Sequence, residues 1–187
     1  MIAGFEISWA AKQFGSREAV IFKKERKTFC EINQRGNILA NFLLQSGLKK
    51  HDRIAVLMPN SIKSLDIIVG VQKAGLIYVG LNTRHVAKEH RDIISDSEPT
   101  IIFADSEYKS VIKKATEGLG FIKSIFFVSR KSDFVLEYGA LGAPINREEP
   151  NIKVEPEDIM RIQYTSGTTG KPKGVGVTFA QYYARIN

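Results

Sequence analysis

The sequence has very few of the residues that build disulfides and metal sites. It contains one cysteine, Cys30, and three histidines, at positions 51, 85 and 90. A single cysteine excludes an internal disulfide and fits a reducing compartment, so we expect a cytoplasmic protein with a buried thiol. His85 and His90 lie five positions apart, whereas ligands on one helix face lie three or four apart. We therefore expect no metal site, and we expect His90 to pack beside Ile93 and Ile94.

The sequence also lacks a hydrophobic run long enough to span a membrane and a convincing export signal. Its first fifteen residues, MIAGFEISWAAKQFG, carry no basic region ahead of the apolar residues and are interrupted by Glu6 and Lys12. A signal peptide needs both a basic start and an unbroken apolar stretch. We expect neither export nor membrane insertion.

Charge is not balanced, since 27 basic and 20 acidic residues give a net charge of +7. Such an excess permits binding to nucleic acid or to an anionic membrane surface. The densest basic cluster, however, lies between two short strand-like segments at 19–22 and 28–30, and it comprises Lys23, Lys24, Arg26 and Lys27. The solvated tip of a β-hairpin explains this cluster more simply, so we expect no nucleic-acid partner.

Apolar periodicity predicts alternating strands and helices as far as residue 128. The predicted strands lie near Ile54, Val79, Ile102 and Phe126, and the predicted helices cover 31–45, 60–74, 87–96 and 107–117. Short links between strand, helix and strand require parallel strands. The predicted fold class is therefore α/β, with a mostly parallel sheet flanked by helices. Residues 129–156 contain several glycines and prolines and are predicted to form an irregular connecting segment.

Glycine, hydroxyl and lysine side chains crowd into one stretch near the C-terminus, residues 164–177, which reads YTSGTTGKPKGVGV. Its glycines weaken strand packing and Pro172 withdraws a backbone donor, so we predict a loop that joins two strands in a hairpin. Glycine lets backbone N–H groups converge on one point, where hydroxyls and lysines supply further donors and positive charge. The candidate phosphate-binding residues are Thr165, Ser166, Gly167, Thr168, Thr169, Gly170, Lys171, Lys173 and Gly174. The alternative is a flexible, solvent-exposed turn without a ligand.

Two well-known phosphate-binding patterns do not fit this stretch. The pattern GxxxxGK[ST] fails because Pro172 follows Gly170 and Lys171, and because Thr165 stands where the first glycine belongs. The dinucleotide pattern GxGxxG fails because Phe179 stands where its third glycine belongs. The loop is therefore predicted to bind phosphate in another way.

Residues 164–175, YTSGTTGKPKGV, resemble the signature of the adenylate-forming enzymes, which include acyl-CoA and aryl-CoA synthetases, adenylation domains of peptide synthetases and beetle luciferases. Upstream segments resemble the same family in the same order. TFCEI at 28–32 resembles "TYxEL", HDRIAV at 51–56 resembles "GDRVAV", and MPNS at 58–61 and KAGLIYVGLN at 73–82 follow. The resemblance covers nearly the whole chain.

The resemblance implies a domain organisation. Residues 1–187 would form the N-terminal portion of an AMP-binding domain, that is, a truncated N-terminal subdomain of the acyl-CoA synthetase and luciferase-like fold, with 164–175 as its phosphate-binding loop. Family members run several hundred residues further. That part of the family carries the adenine pocket, the magnesium-binding glutamate, most of the acid pocket and the lysine used in adenylation. Catalytic residues in this chain are therefore unknown, and self-association through apolar surface left uncovered is expected.

Three positions depart from the family pattern. Gly80 stands where proline usually precedes "LN", and His51 replaces the glycine of "GDR". Phe179 stands where many members have a histidine linked to the acyl or nucleotide pocket. A polar role at that position is therefore not expected in this chain.

The resemblance implies ATP-dependent activation of a small-molecule carboxylic acid as an acyl-adenylate, followed by thioester formation with CoA. Mg²⁺ would take part through ligands mostly outside this chain. The loop would hold the β- and γ-phosphates of ATP, with Lys173 as the principal positive charge and Lys171 as a weaker one. Two alternatives stay open: an adenylation domain that serves a carrier protein, and a non-catalytic module that binds phosphate or a nucleotide.

Overall fold

The computed structural model describes residues 5–129, 145–166 and 172–184. Helices and strands alternate through most of these ranges. In chain order they are α1 (Phe5–Phe14), β1 (Glu18–Phe22), β2 (Glu25–Thr28), α2 (Phe29–Gln45), β3 (Arg53–Leu57), α3 (Ile62–Lys73), β4 (Ile77–Gly80), α4 (Ala87–Ser97), β5 (Ile101–Asp105), α5 (Lys109–Thr116), β6 (Ser124–Val128), β7 (Ile159–Ser166), β8 (Pro172–Thr178) and α6 (Phe179–Tyr183).

A six-stranded sheet forms the centre of the molecule, in the order β6-β5-β3-β4-β7-β8. All neighbouring pairs are parallel except β7 and β8, which are antiparallel. Ala55 in the central strand pairs with Val79 on one side and with Ile102 on the other. The predicted α/β class and the predicted strands near Ile54, Val79, Ile102 and Phe126 are confirmed.

Helices cover both faces of this sheet, which explains the nearly continuous apolar sequence of β3. Ile54 and Val56 face the core beneath α2 and α3, whereas Ala55 and Leu57 face the core beneath α4 and α5. Strands buried on both faces are typical of parallel sheets. The two helical layers therefore cover the central strands of the sheet, whereas β8 at its edge is exposed.

Local sequence fixes the starts of α2 and α3 through capping residues. The Thr28 hydroxyl accepts a hydrogen bond from the Glu31 N–H, and the Glu31 carboxylate accepts one from the Thr28 N–H, which is a capping box. Ser61 and Ser64 cap α3 in the same way. Gly75 follows α3 with a φ of +66°, a conformation that glycine adopts without strain.

Residues 145–149 lie along α2 and are held by asparagines spaced one helical turn apart. The side-chain amides of Asn37 and Asn41 donate to backbone carbonyls of residues 146–148, and Asn33 donates to the Glu149 carboxylate. Among residues 129 and 145–156 of the predicted connecting segment, no helix or strand occurs; residues 130–144 lie outside the described residues.

Glu149 also joins three parts of the fold through a buried lysine. Lys73 Nζ lies 2.6 Å from Glu149 Oε2 and 2.6 Å from Ser8 Oγ, so α1, α3 and the connecting segment meet at one ion pair. Burial lowers the pKa of Lys73, and the Glu149 carboxylate opposes this effect. For Glu149, burial favours the neutral acid, but Lys73 and Asn33 bring its pKa below the usual value.

Two sequence expectations are wrong and one helix was not predicted. Cys30 is exposed, because it stands in the first turn of α2 on the side away from the buried face. The acidic residues around Pro156 indicate the first turn of a short helix from the sequence, but Pro156 lies in a turn, because Asp158 folds back to accept the Glu155 N–H. The N-terminal helix α1 was missed. The predicted hairpin occurs, with exposed Lys23 and Lys24 at its tip, but its second strand is Glu25–Thr28, so Arg26 and Lys27 lie in β2 and residues 29–30 begin α2.

Candidate phosphate-binding site

The predicted phosphate loop lies between the two antiparallel strands β7 and β8. Tyr164 pairs with Gly174, Thr165 with Lys173, and Ser166 with Pro172. The strands thus extend into the range 164–175, further than the sequence pattern indicated. β8 tolerates Pro172 and two glycines because it is an edge strand whose outer side needs no partner.

The structure brings together only part of the predicted site. Thr165 and Lys173 lie opposite each other on the neck of the hairpin, and both are exposed. The backbones of Ser166 and Gly174 lie in the strands next to them. Within the described ranges Lys173 forms no ion pair, so its charge is available to a ligand. Gly167, Thr168, Thr169, Gly170 and Lys171 lie outside the described residues.

The hairpin neck lies at the carboxyl ends of the parallel strands. β4 and β7 are neighbours in the sheet. The connection after β4 leads to β5 on one side of this pair, and the connection after β7 leads to β8 on the other, so the two connections diverge at this edge. A cleft of about 330 Å³ lies there and is lined by residues that follow β4, by α4 and by the hairpin neck, among them Asn82, His85, Tyr164 and Thr165. Ligands of open α/β sheets bind at such divergence points.

Tyr164 links the hairpin to α4. Its hydroxyl donates to the Asp96 carboxylate over 2.5 Å, in the last turn of that helix. Burial of the ring and the adjacent Asp96 charge both raise the pKa of Tyr164, so the hydroxyl stays protonated. Sequence reasoning missed Asp96, because no motif or spacing connects two residues that lie 68 positions apart.

A second carboxylate holds the opposite end of β7. Asp158 lies 2.6 Å from Lys50 Nζ and 2.8 Å from His51 Nε2. Burial favours the neutral acid, but Lys50, the Glu155 N–H and His51 together lower the pKa of Asp158 to about 2. His51 has a φ of +73°, which explains why the family usually has glycine at this position.

The two histidines beside the cleft lie against each other, and His90 is buried whereas His85 is partly exposed. His90 is 1% exposed, its ring lies 5.8 Å from that of His85, and neither of its ring nitrogens has a partner. Burial lowers the pKa of His90, and the neighbouring His85 lowers it further. In the part of the chain that the structure describes, no group of three or more metal-ligating side chains comes together.

Phe179 lies away from the cleft, in a small apolar cluster with Val154 and Met160 beneath α6. It is 1% exposed, so its ring contributes to packing. The departure from the family's histidine thus places an apolar side chain in an apolar environment.

Across the described ranges, the structure also contains no helix with the length and hydropathy of a membrane span.

Comparison with known proteins places this fold and hairpin in a family. The AMP-binding enzyme family matches residues 7–187, and the chain belongs to it. These are adenylate-forming enzymes, as the sequence of the hairpin predicted.

Individual relatives come from different branches of that family. The chain is 28% identical to tyrocidine synthase 1 from Brevibacillus parabrevis, over 88% of this chain and 14% of that protein. It is 31% identical to the long-chain-fatty-acid–CoA ligase FadD13 from Mycobacterium tuberculosis, over 80% of this chain and 29% of the ligase. The inhibitor-bound N-terminal domain of FACL13 from the same organism superposes with a TM-score of 0.84 at 29% identity, covering 95% of this chain and 44% of that domain. The chain thus spans less than a third of the length of tyrocidine synthase 1 and of FadD13.

Proposed function

We propose that this protein supplies the phosphate-binding part of an AMP-forming acid:CoA ligase. In such a reaction a carboxylate attacks the α-phosphate of ATP and pyrophosphate leaves. The CoA thiol then displaces AMP from the acyl-adenylate. The observation that carries the proposal is the pairing of Thr165 with Lys173 across the neck of a glycine-rich loop, at the divergence point of a parallel sheet.

The residues of this chain act on the leaving end of ATP. Lys173, exposed and without an ion pair in the described ranges, stabilises the β- and γ-phosphates as they become pyrophosphate. Thr165 donates a hydrogen bond from the facing strand. Ser166, Gly167, Thr168, Thr169, Gly170, Lys171 and Gly174 complete the proposed loop site. The rate gained here comes from a fixed charge and from orientation of the phosphates.

Among the described residues, no group of three or more His, Cys, Asp or Glu side chains comes together. Mg²⁺ is usually held by one or two carboxylates together with substrate phosphates. No step of the proposed reaction is therefore assigned to a metal held by these residues. We propose that any Mg²⁺ arrives with ATP and finds its protein ligands mostly outside this chain.

A second candidate acceptor for the acyl group is a carrier protein. The similarity to tyrocidine synthase 1 favours this candidate as the similarity to FadD13 favours CoA. The coding sequence after the codon for Asn187 discriminates between CoA and a carrier protein. A carrier domain encoded in frame there supports the carrier protein as the acceptor. A third candidate, a phosphate-binding module without turnover, predicts binding of ATP with no reaction in any longer form of the protein.

The binding step is testable on the chain as it stands. We expect ATP and inorganic pyrophosphate to shift the amide NMR signals of the hairpin neck. We expect Lys173→Ala to weaken the binding of both ligands by about tenfold, since a charge-assisted contact contributes roughly 1.5–3 kcal/mol. Lys123→Ala is the matched control, because Lys123 is an exposed lysine just before β6, at the opposite edge of the sheet. Equal loss of affinity in both variants would show that the effect is only one of net charge.

We propose a cytoplasmic location, which the single cysteine supports.

A further inference from the structure

The ring of Tyr164 lies across β8 at the position of Gly174. A Cβ atom on residue 174 would lie 3.0 Å from Tyr164 Cζ, 3.1 Å from its Oη and 3.0 Å from Ile162 Cγ2. Any larger residue at 174 would therefore push the ring away. Glycine at this position thus has a local reason apart from loop flexibility: it lets the ring cross the strand and reach α4.

Asp96 is an unfavourable residue for its place in α4. It stands in the last turn, where the helix dipole disfavours negative charge, and the structure shows no basic residue in that turn. Its described partner is the Tyr164 hydroxyl, at 2.5 Å. The carboxylate therefore contributes to contact with the hairpin and not to the stability of its own helix.

The hairpin needs an anchor because β8 has one sheet neighbour only. Among the strands that the structure describes, β8 pairs with β7 and has no neighbour on its outer side. Two-stranded ribbons twist more freely than wide sheets. The pair Tyr164 and Gly174 immediately precedes the pair Thr165 and Lys173, so a contact at the first pair restricts the orientation of the second.

We propose that Asp96 is a positioning residue that acts through Tyr164: it fixes the neck of the hairpin so that Lys173 and Thr165 face the phosphates. This inference rests on the proposed function of the hairpin. Asp96 itself does not touch the ligand. Its effect passes through its hydrogen bond to the Tyr164 hydroxyl and through the contact of the Tyr164 ring with Gly174.

The direction in which anion affinity changes on replacing Asp96 distinguishes a positioning role from a purely electrostatic one. Removing a negative charge near an anion site strengthens anion binding. Loss of a positioning contact weakens it. We expect Asp96→Ala to weaken binding of inorganic pyrophosphate about fivefold, the change that loss of one hydrogen bond of about 1 kcal/mol produces. Glu117→Ala removes an exposed charge directly after α5, outside the residues that line the cleft, and is expected to leave binding unchanged.

Two further variants test the route through Tyr164. Tyr164→Phe keeps the ring and removes the hydroxyl, so we expect the same fivefold loss, and the double variant with Asp96→Ala is expected to lose no more than either single one. Asp96→Asn keeps an acceptor oxygen and is expected to bind within about twofold of the wild type.

The measurements are an NMR titration with inorganic pyrophosphate and amide hydrogen exchange at Lys173, Gly174 and Val175. Faster exchange at these amides in Asp96→Ala and Tyr164→Phe, with unchanged signals for core residues such as Ile54, supports the proposal. Pyrophosphate binding by Asp96→Ala that equals or exceeds that of the wild type overturns it, as does unchanged exchange at the neck. If the wild type binds no pyrophosphate, the proposed function fails, and the exchange data alone then decide whether Asp96 holds the hairpin.

Discussion

The carboxylate of Asp158 joins the start of β7 to the residues before β3, and its ionisation makes stability depend on pH. Its pKa is about 2 in the folded chain against 3.8 for a free aspartate. Because the folded value is the lower one, the stabilisation is complete above pH 3.8 and is lost as the pH falls towards 2. We expect Asp158→Asn to lower the free energy of unfolding at pH 7 by about 1–2 kcal/mol, since Lys50 and His51 are partly exposed and solvent screens the pair.

The matched control for Asp158 is Glu157→Gln, because Glu157 is exposed and lies next to Asp158 in the sequence. Urea unfolding between pH 2 and pH 7 measures the difference. The wild type and Asp158→Asn should converge in stability at the acid end of this range. A constant difference at all pH values would show that Asp158 acts through packing and not through its charge.

At the scale of helices and strands, the contact between α2 and α3 depends on a glycine in the middle of a helix. A Cβ atom on residue 70 would lie 2.7 Å from Leu39 Cβ and 2.8 Å from Leu39 Cγ. Leu39 Cβ is bound to the backbone and cannot rotate away. We therefore expect Gly70→Ala to destabilise the fold by about 1–3 kcal/mol through overpacking, although alanine favours a helix more than glycine does.

Gly120→Ala is the same substitution at a position where no atom lies within 4 Å of the added Cβ. We expect it to change stability by less than about 0.5 kcal/mol. Thermal unfolding of the two variants beside the wild type makes the comparison. If Gly70→Ala is as stable as Gly120→Ala, the two helices are free to move apart and the contact is looser than the structure shows.

Elements with a clear apolar period were predictable from the sequence, and elements fixed by distant contacts were not. Buried runs such as the one around Ile54 predicted strands, and Ser61 and Gly75 marked the ends of α3. The helical turn expected at Pro156 was wrong because the local charge pattern carried no information about Lys50, a residue distant in the sequence that pairs with Asp158. Similarly, the strand extensions at Ser166 and Pro172 depend on pairing between strands.

At the scale of the whole molecule, we expect the chain of 187 residues to bind phosphate without catalysing adenylation. The role that we propose for the hairpin is limited to the leaving end of ATP, whereas the transition state also needs charge at the α-phosphate and alignment of the acid. Each missing contribution of about 1.4 kcal/mol lowers the rate tenfold. We therefore expect no pyrophosphate release above background from ATP, magnesium and a mixed panel of acids.

The control for this assay is Lys173→Ala under the same conditions. Turnover similar to that of a full-length ligase, abolished in the control, would contradict the expectation and place a complete site within this chain. Light scattering of the same samples tests self-association. The exposed apolar side chains Ile159 and Val175 on the hairpin are the first residues to examine if the chain forms dimers.

The sequence indicates which residues form the candidate site, but it does not indicate their contacts with the rest of the fold. The glycines, hydroxyls and lysines of residues 164–175 indicated phosphate binding, because their chemistry is local. The contact of Asp96 with Tyr164 and the position of the cleft beside β4 follow from the order of strands in the sheet, which one sequence does not reveal.

That strand order also has a consequence for how the chain folds. β7 pairs with β4, which lies about 80 residues earlier in the chain. The strands β3 to β6 all precede β7 in the sequence. Contacts of such long sequence separation form slowly. We therefore expect the edge of β4 to stay unpaired until β7 has been synthesised. We expect the hairpin of β7 and β8 to be the last part of the sheet to assemble.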